Sequence, residues 1–244
     1  MRTVTRPGKM ARRAVARAAL TPMLRQEWQA GVAVPTERLA VYAWTLSRIQ
    51  ERAPRTLLDV GPGPSPWPYL VALGGIRVTA VDNLSMHGRG PGWWRRTRHF
   101  NRHYYVLPRD IAQCRPVGAF DFMTCMGVLE AVVDDRAVVR GMFANLAPGG
   151  AIAISTPYND AEFVSNAYAL PDAGYGADIP YPCRQYSRAE VERWLDDNDA
   201  RIADEQFLRS FTGPYWTMGE RLSPPVKVRR DEPHHLACLL LERT

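Results

Sequence analysis

The sequence predicts an α/β fold on a mostly parallel sheet with helices on both faces, and three observations predict it. Short apolar runs alternate with helical patterns, a glycine-rich turn closes the first of these runs, and an acidic residue closes the second. A chain of 244 residues is long enough for one such domain carrying a helical cap.

In chain order, residues 9 to 30 have helical propensity with scattered apolar positions. Thr36 reads as the N-cap of a second helix over Glu37 to Arg52, with Leu39, Tyr42, Ala43, Leu46 and Ile49 at helical spacing. From Arg55 the period changes. Thr56 to Val60 is a short strand ending in Gly61, and Val78 to Asp82 is a second strand. Between them Ser65 caps a helix to Leu73, with Pro66 at its first position and Pro68 in its first turn, where a missing N–H is harmless. Tyr104 to Leu107 and Phe120 to Cys125 read as strands three and four. A helix from about Asp134 follows, with Val138, Val139, Met142, Phe143 and Leu146 on one face, stopped by Pro148-Gly149-Gly150. Ala151 to Ser155 is the fifth strand, and a helix from Ser187 to Asn198 is capped by its serine. Runs around Ile202 to Phe207 and His235 to Leu241 close the sheet, with a Pro- and Arg-rich excursion between them.

With 46% hydrophobic and 23% charged residues the composition is that of a soluble globular protein, and no apolar run approaches the roughly 20 residues of a membrane span. Integral membrane contact is therefore not expected. Cys114, Cys125, Cys183 and Cys238 stand far apart with no CxxC pair, which suggests neither a zinc site nor a disulfide framework and fits a reducing cytoplasm. The net charge of +6 is concentrated: the first 26 residues hold seven Arg or Lys and no acid, and six arginines with no acid lie between Asp82 and Asp110. The first cluster reads as a basic helix, with an organellar transit peptide as the second reading. Such clusters attract phosphate, anionic lipid or an acidic substrate, or form solvated faces.

The strongest local signal is Asp59-Val60-Gly61-Pro62-Gly63-Pro64-Ser65 at the end of a buried strand. Glycines there bring the backbone close to a ligand, and the next helix offers free N–H groups. Asp82, closing the following strand, is placed to accept from both hydroxyls of a ribose. Together they specify a nucleoside. A dinucleotide fingerprint would want glycine where Pro66 stands and no acid at position 59, so NAD is disfavoured.

This array resembles the first motif of class I S-adenosylmethionine-dependent methyltransferases, with Ser65 where the third glycine usually stands. Asp110-Ile111 resembles the family's adenine-contacting pair, Met126-Gly127-Val128-Leu129-Glu130 its cofactor-lining turn, and Leu146-Ala147-Pro148-Gly149-Gly150 the turn before its fifth strand. The resemblance covers roughly residues 55 to 156. It implies a Rossmann-like methyltransferase sheet, mostly parallel with the last strand antiparallel, with N-terminal helices and a cap from insertions. Residues 1–54 would form the helical segment. Residues 55–244 would form the S-adenosylmethionine-binding domain, with substrate-facing insertions at 83–103, 157–186 and 209–233. The cofactor's methionine end would lie over Gly61, Pro62 and Gly63, its ribose against Asp82 and Asn83, and its adenine near Asp110 and Ile111. Cys125, Met126 and Gly127 would line the other side. Asp59 contacts the ligand or ties down the loop.

Methyl transfer needs an in-line approach to the sulfonium methyl, and a base only if the nucleophile carries a proton. Ala131 stands where many relatives carry a histidine after the Leu-Glu. The remaining candidates are His103 and Glu130, ahead of His87 and His99. Tyr158, Tyr186 and Arg184 either line the acceptor pocket or pack their loop. Trp93-Trp94-Arg95-Arg96 reads as a lid over the site or as a helix packed on the sheet.

The implied function is transfer of a methyl group to a small-molecule acceptor, at an oxygen of a natural product or sugar. An RNA methyltransferase using the basic segments is one alternative, and a non-methylating S-adenosylmethionine-binding protein, regulatory or cyclase-like, is another. The turn Cys125-Met126-Gly127 matches neither the Asn/Asp-Pro-Pro-Tyr/Phe turn of base-nitrogen enzymes nor the Pro-Cys of carbon-five enzymes, so a nucleic-acid partner is not expected.

Overall fold

The computed structural model describes residues 36–63, 65, 67–83, 104–113 and 116–244. The expected helix at 9 to 30, the histidines at 87, 99 and 103, the tryptophan pair and nearly all of the 83–103 insertion lie outside these residues. The elements are α1 (Thr36–Arg52), β1 (Thr56–Val60), α2 (Trp67–Leu73), β2 (Arg77–Asp82), β3 (Tyr104–Pro108), β4 (Phe120–Met126), α3 (Asp135–Ala144), β5 (Leu146–Pro157), α4 (Arg188–Asp196), β6 (Ala200–Phe211), β7 (Arg221–Val228) and β8 (Leu236–Arg243).

One eight-stranded sheet has the order β3-β2-β1-β4-β5-β8-β6-β7. The first five in that order are parallel, β8 runs antiparallel between β5 and β6, and β7 pairs antiparallel with β6 at the edge. The mostly parallel sheet with an antiparallel final strand is therefore present. The Pro- and Arg-rich excursion contributes the edge strand β7, where Pro224 and Pro225 are tolerated because an edge strand leaves one row of N–H groups unpaired.

Both faces are covered, which is why the strands are apolar at successive positions rather than at alternate ones. Leu57, Phe122, Ala151 and Ala153 face α1 and α2, while Leu58, Val60, Met123, Cys125, Ile152 and Ile154 face α3 and α4. Two helical details depart from the sequence pattern. On α1 the buried stripe is Val41, Tyr42, Trp44, Thr45 and Ile49, and Ala43 is exposed. Helix α3 ends at Ala144, ahead of Pro148-Gly149-Gly150. Asn145 stops it: its amide donates to Gly141 O at 2.8 Å while its Oδ1 accepts from Val117 N at 2.6 Å. The residues from Leu146 to Gly150 form a bulge at the start of β5, where the register jumps between Phe120 and Phe122.

Strand β1 lies between β2 and β4, so the chain reverses its direction of travel across the sheet there, and the carboxyl edge opens a crevice at that point. Helix α1 crosses one face with its first turn at that edge and its last turn at the opposite one, where Arg52 pairs with Glu242 near the end of β8.

Candidate active site

The carboxyl edge carries two groups of functional side chains. The first surrounds the ends of β1, β2 and β4. Gly61 donates its N–H to Val81 O at 2.8 Å and sits at φ +63°, and a Cβ there would come within 2.8 Å of the Val128 side chain. Only glycine satisfies both constraints. Gly63 donates its N–H to Asp82 Oδ2 at 3.0 Å, so the acid that closes β2 also holds the glycine turn. Ser65 Oγ accepts from Trp67 N at 3.1 Å, the capping role its sequence position predicts.

Beneath that turn, Trp67 Nε1 donates to Thr124 Oγ1 at 3.2 Å, and Thr124 donates to Asp59 Oδ1 at 2.6 Å. Asp59 is 2% exposed and its Oδ2 has no hydrogen-bond partner among the described residues. Burial pushes its carboxyl up to about 8, against the lowering effect of the Thr124 hydrogen bond and with a further push from Asp82. A buried orphan acceptor at the foot of a glycine turn fits a cationic ligand group, such as the ammonium of a methionine moiety.

Among the other expected cofactor contacts, Pro62 is buried in the turn and Asn83 is exposed just past β2. Asp110 follows β3 by two residues, its Oδ1 accepting from Ala112 N at 2.9 Å. Ile111 is buried, and its carbonyl would lie 2.3 Å from a Cβ at position 141, so α3 meets this turn backbone to backbone. Cys125 packs into the core, where burial drives its thiol well above the usual range. Met126 Sδ lies 3.7 Å from Thr45 Oγ1 of α1. Gly127 has φ +70° and opens the turn after β4.

The second group lies along the ends of β5, β8 and β6. Glu130 sits in the short helical turn Leu129–Ala131, half-buried, with Thr156 Oγ1 donating to its Oε2 at 3.5 Å. Burial pushes its carboxyl up to about 7, partly offset by a hydrogen bond from its own backbone N–H, by the charge of Arg38 and by Thr156. Backbone bonds from Arg184 to Glu130 and from Trp216 to Gln185 Oε1, at 3.0 and 2.6 Å, bring the segments 157–186 and 212–220 onto this side. Gln185 is fully buried and its Nε2 has no partner among the described residues. Tyr181 and Cys183 lie within electrostatic reach of Glu130, and Tyr168 and Tyr175 stand 5.9 Å apart, centroid to centroid, beside them. Glu37 of α1 accepts two hydrogen bonds from Arg221 of β7, at 3.0 and 2.6 Å.

Tyr158, Tyr186 and Arg184 follow the packing alternative. Tyr158 forms a three-ring cluster with Phe207 and His234, Tyr186 donates to Leu129 O at 2.7 Å, and Arg184 donates to the carbonyl of Val132. Arg38, Thr124 and Gln185 escaped the sequence reading. Only Thr124 left a signal there, a polar residue inside an apolar strand buried on both faces.

A family model described as a methyltransferase domain matches residues 36–205. The chain belongs to the class I S-adenosylmethionine-dependent methyltransferase family. It is 30% identical over 189 residues to a ubiquinone biosynthesis O-methyltransferase of Xanthomonas campestris pv. campestris, covering 75% of the chain and 74% of that protein. It is 34% identical over 111 residues to the Psychrobacter arcticus protein of the same name, covering 43% of the chain but only 41% of the relative. Its fold is similar to that of a 1,6-didemethyltoxoflavin-N1-methyltransferase of Burkholderia thailandensis, with a TM-score of 0.59 and 17% identity over 100% of this chain and 93% of that one. It is also similar to the N-methyltransferase NodS of Bradyrhizobium japonicum, with a TM-score of 0.53, 16% identity, and 85% and 87% of the two chains covered. Among the described residues no helix is long and apolar enough to cross a membrane.

Proposed function

We propose that the protein methylates an oxygen of a small-molecule acceptor, with Glu130 taking the proton. The observation that carries this reading is Glu130 itself. A half-buried carboxyl pushed up to about 7 is ionised to a useful extent at neutral pH and basic enough to accept a hydroxyl proton. Its relatives at 30% and 34% identity, named as O-methyltransferases, support the choice of oxygen.

S-adenosylmethionine supplies an electrophilic methyl group on a sulfonium sulfur. Asp59 Oδ2 and the backbone of Gly61, Pro62 and Gly63 would hold its methionine end, Asp82 and Asn83 its ribose, and Asp110 with Ile111 its adenine. The backbone of Cys125, Met126 and Gly127 would line the opposite side. Thr156 orients the Glu130 carboxylate through its hydroxyl. The segments 157–186 and 209–233 enclose the acceptor, and the cluster of Tyr168, Tyr175 and Tyr181 favours an aromatic one.

The test is a transfer assay over a panel of hydroxylated aromatic acceptors, read as S-adenosylhomocysteine formed, with Glu130→Gln beside the wild type. The expected result is turnover with at least one phenol, a loss of kcat in Glu130→Gln of about 100-fold, the scale of general-base catalysis, and unchanged S-adenosylhomocysteine affinity. Turnover with amines alone, or full activity in Glu130→Gln, would overturn it.

A further inference from the structure

Glu130 stands on a turn that its own residues hold weakly. The chain leaves β4 through Gly127 at φ +70°, a conformation that a side chain would resist, and enters the helical turn Leu129–Ala131 with no side-chain cap at Val128. Ala131 N–H donates to Val128 O at 3.1 Å, but a turn of three residues makes few such bonds, and they are poorly aligned. Leu129 is buried, whereas Val133 is 93% exposed, so the exit of the turn has no core to rest on.

The end of the segment 157–186 holds the turn instead. Arg184 N–H donates to Glu130 O at 3.0 Å and Tyr186 Oη donates to Leu129 O at 2.7 Å. The Arg184 guanidinium donates to the carbonyls of Val132 and Val133, the second at 3.3 Å. Two successive carbonyls gripped by one planar fork fix the direction in which the chain leaves the turn as well as its place. Tyr186 is in turn set edge-on against Trp194 of α4, with ring centroids 4.7 Å apart, and Trp194 Nε1 donates to Asp135 Oδ2 at 2.7 Å, so the frame closes on the start of α3.

The carboxyl group depends on that placement. Glu130 Oε1 lies 3.4 Å from where a Cβ on Gly127 would stand, and Thr156 Oγ1 donates to Oε2 at 3.5 Å, so the group sits between the turn after β4 and the end of β5. Taking a proton requires hydrogen-bond reach, and a displacement of about 1 Å from the working geometry costs on the order of 100-fold in rate.

We infer that Arg184 is a positioning residue for methyl transfer: by clamping the carbonyls of this turn it places the Glu130 carboxylate against the acceptor, and it ties that placement to the segment that encloses the acceptor. The inference rests on the methyl-transfer reading above, with Glu130 as the base. Arg184 acts through main-chain carbonyls, so lysine at this position keeps the charge but loses the fork that binds two of them at once.

The experiment compares the wild type with Arg184→Met, Arg184→Lys and Glu130→Gln on two acceptors. One is the phenol that turns over fastest in the panel of hydroxylated aromatics; the other is its nitro derivative, ionised at pH 8 and with no proton left to give up. Arg184→Met keeps an apolar stem and removes the fork. Its kcat for the phenol is expected to fall about 10- to 30-fold, with acceptor KM, S-adenosylhomocysteine affinity and kcat for the nitro derivative within about twofold of the wild type. Arg184→Lys should recover part of the loss, and Arg184→Met should cost nothing further in a Glu130→Gln background. Hydrogen exchange of the folded protein supplies a readout that needs no acceptor: exchange over residues 128–134 should quicken in Arg184→Met, while that over β4 and α3 stays as in the wild type. The inference is overturned if Arg184→Met keeps full kcat for the phenol, or if exchange over 128–134 is unchanged. It is also overturned if the nitro derivative suffers an equal loss, or if the loss survives in the Glu130→Gln background, because Arg184 would then support the fold rather than the base. Full activity in Glu130→Gln alone brings down the base itself, and this inference with it, a result that shows in a separate arm.

Discussion

The two halves of the carboxyl edge are built differently. Around β1, β2 and β4 the functional groups come from residues within a few positions of a strand end, fixed by backbone geometry: Gly61 by its positive φ, Gly63 by its bond to Asp82. Around β5, β8 and β6 they come from segments far apart in the chain, joined by contacts such as Arg221 to Glu37, Trp216 N–H to Gln185 and Thr156 to Glu130. On the proposed reading the first half would bind a ligand of fixed shape, for which a rigid and local geometry suffices. The second half would face the acceptor, and its groups meet only through folding.

The sharpest test of this contrast is Gly61→Val. The new side chain would meet φ +63° and the Val128 methyl carbons at 2.8 and 2.9 Å. Strain of about 1–3 kcal/mol must be relieved by moving the turn, and we expect S-adenosylhomocysteine affinity to fall about 100-fold or more. Titration of the variant measures this. Affinity within about threefold of the wild type would mean that this turn is not the floor of the cofactor site.

The corresponding test of the second half is Arg221→Ala. Glu37 is buried and loses its bidentate partner, which for a fully buried pair costs about 3–5 kcal/mol; with the Arg221 side chain 41% exposed we expect about 2 kcal/mol. Denaturant unfolding measures the loss, and the double variant Glu37→Gln/Arg221→Met should recover most of it. If Arg221→Ala is as stable as the wild type, the two segments are not held together by this pair.

The same contrast explains what the sequence disclosed. The strand–glycine turn–helix–strand unit was legible because positive φ, capping and buried strands each demand particular residue types at fixed spacing, as Gly61, Ser65 and Leu57 show. Glu130 was legible from its motif, but its raised proton affinity depends on burial, which only the fold creates. Arg38 carries no local mark, since its place on α1 becomes meaningful only once Tyr42 and Thr45 dock that helix on the edge. Strand β7 was hidden for another reason: its prolines break the strand pattern everywhere except at an edge.

A pH titration separates the halves by charge. The Asp59 carboxyl moves from 3.8 to about 8 on burial, so the empty folded protein holds a proton that the unfolded chain releases. Stability of the empty protein therefore falls as pH rises from about 4 to about 8, because the unfolded state ionises first. A cation seated against Oδ2 requires the carboxylate, so its binding expels that proton, and affinity should rise toward pH 8 by up to about tenfold per unit. Calorimetry with S-adenosylhomocysteine in two buffers of different ionisation heat should show proton release, absent in Asp59→Asn. An affinity flat between pH 6 and pH 8 would show that Asp59 only braces the loop.

The smallest expected effect lies where the halves meet. Tyr42 reaches the glycine turn through Ser65 at 2.5 Å and stacks on Trp67 with ring centroids 4.8 Å apart, while the first turn of the same helix carries Glu37, bound by Arg221 of β7. Tyr42→Phe keeps the stacking and removes only the hydroxyl, a loss of about 1 kcal/mol. If α1 couples the halves, the loss should appear in both places, as a roughly fivefold weaker S-adenosylhomocysteine affinity and a raised KM for the acceptor. If cofactor affinity falls and the acceptor KM does not change, the helix only caps the first half, and the two halves are independent sites sharing one edge of the sheet.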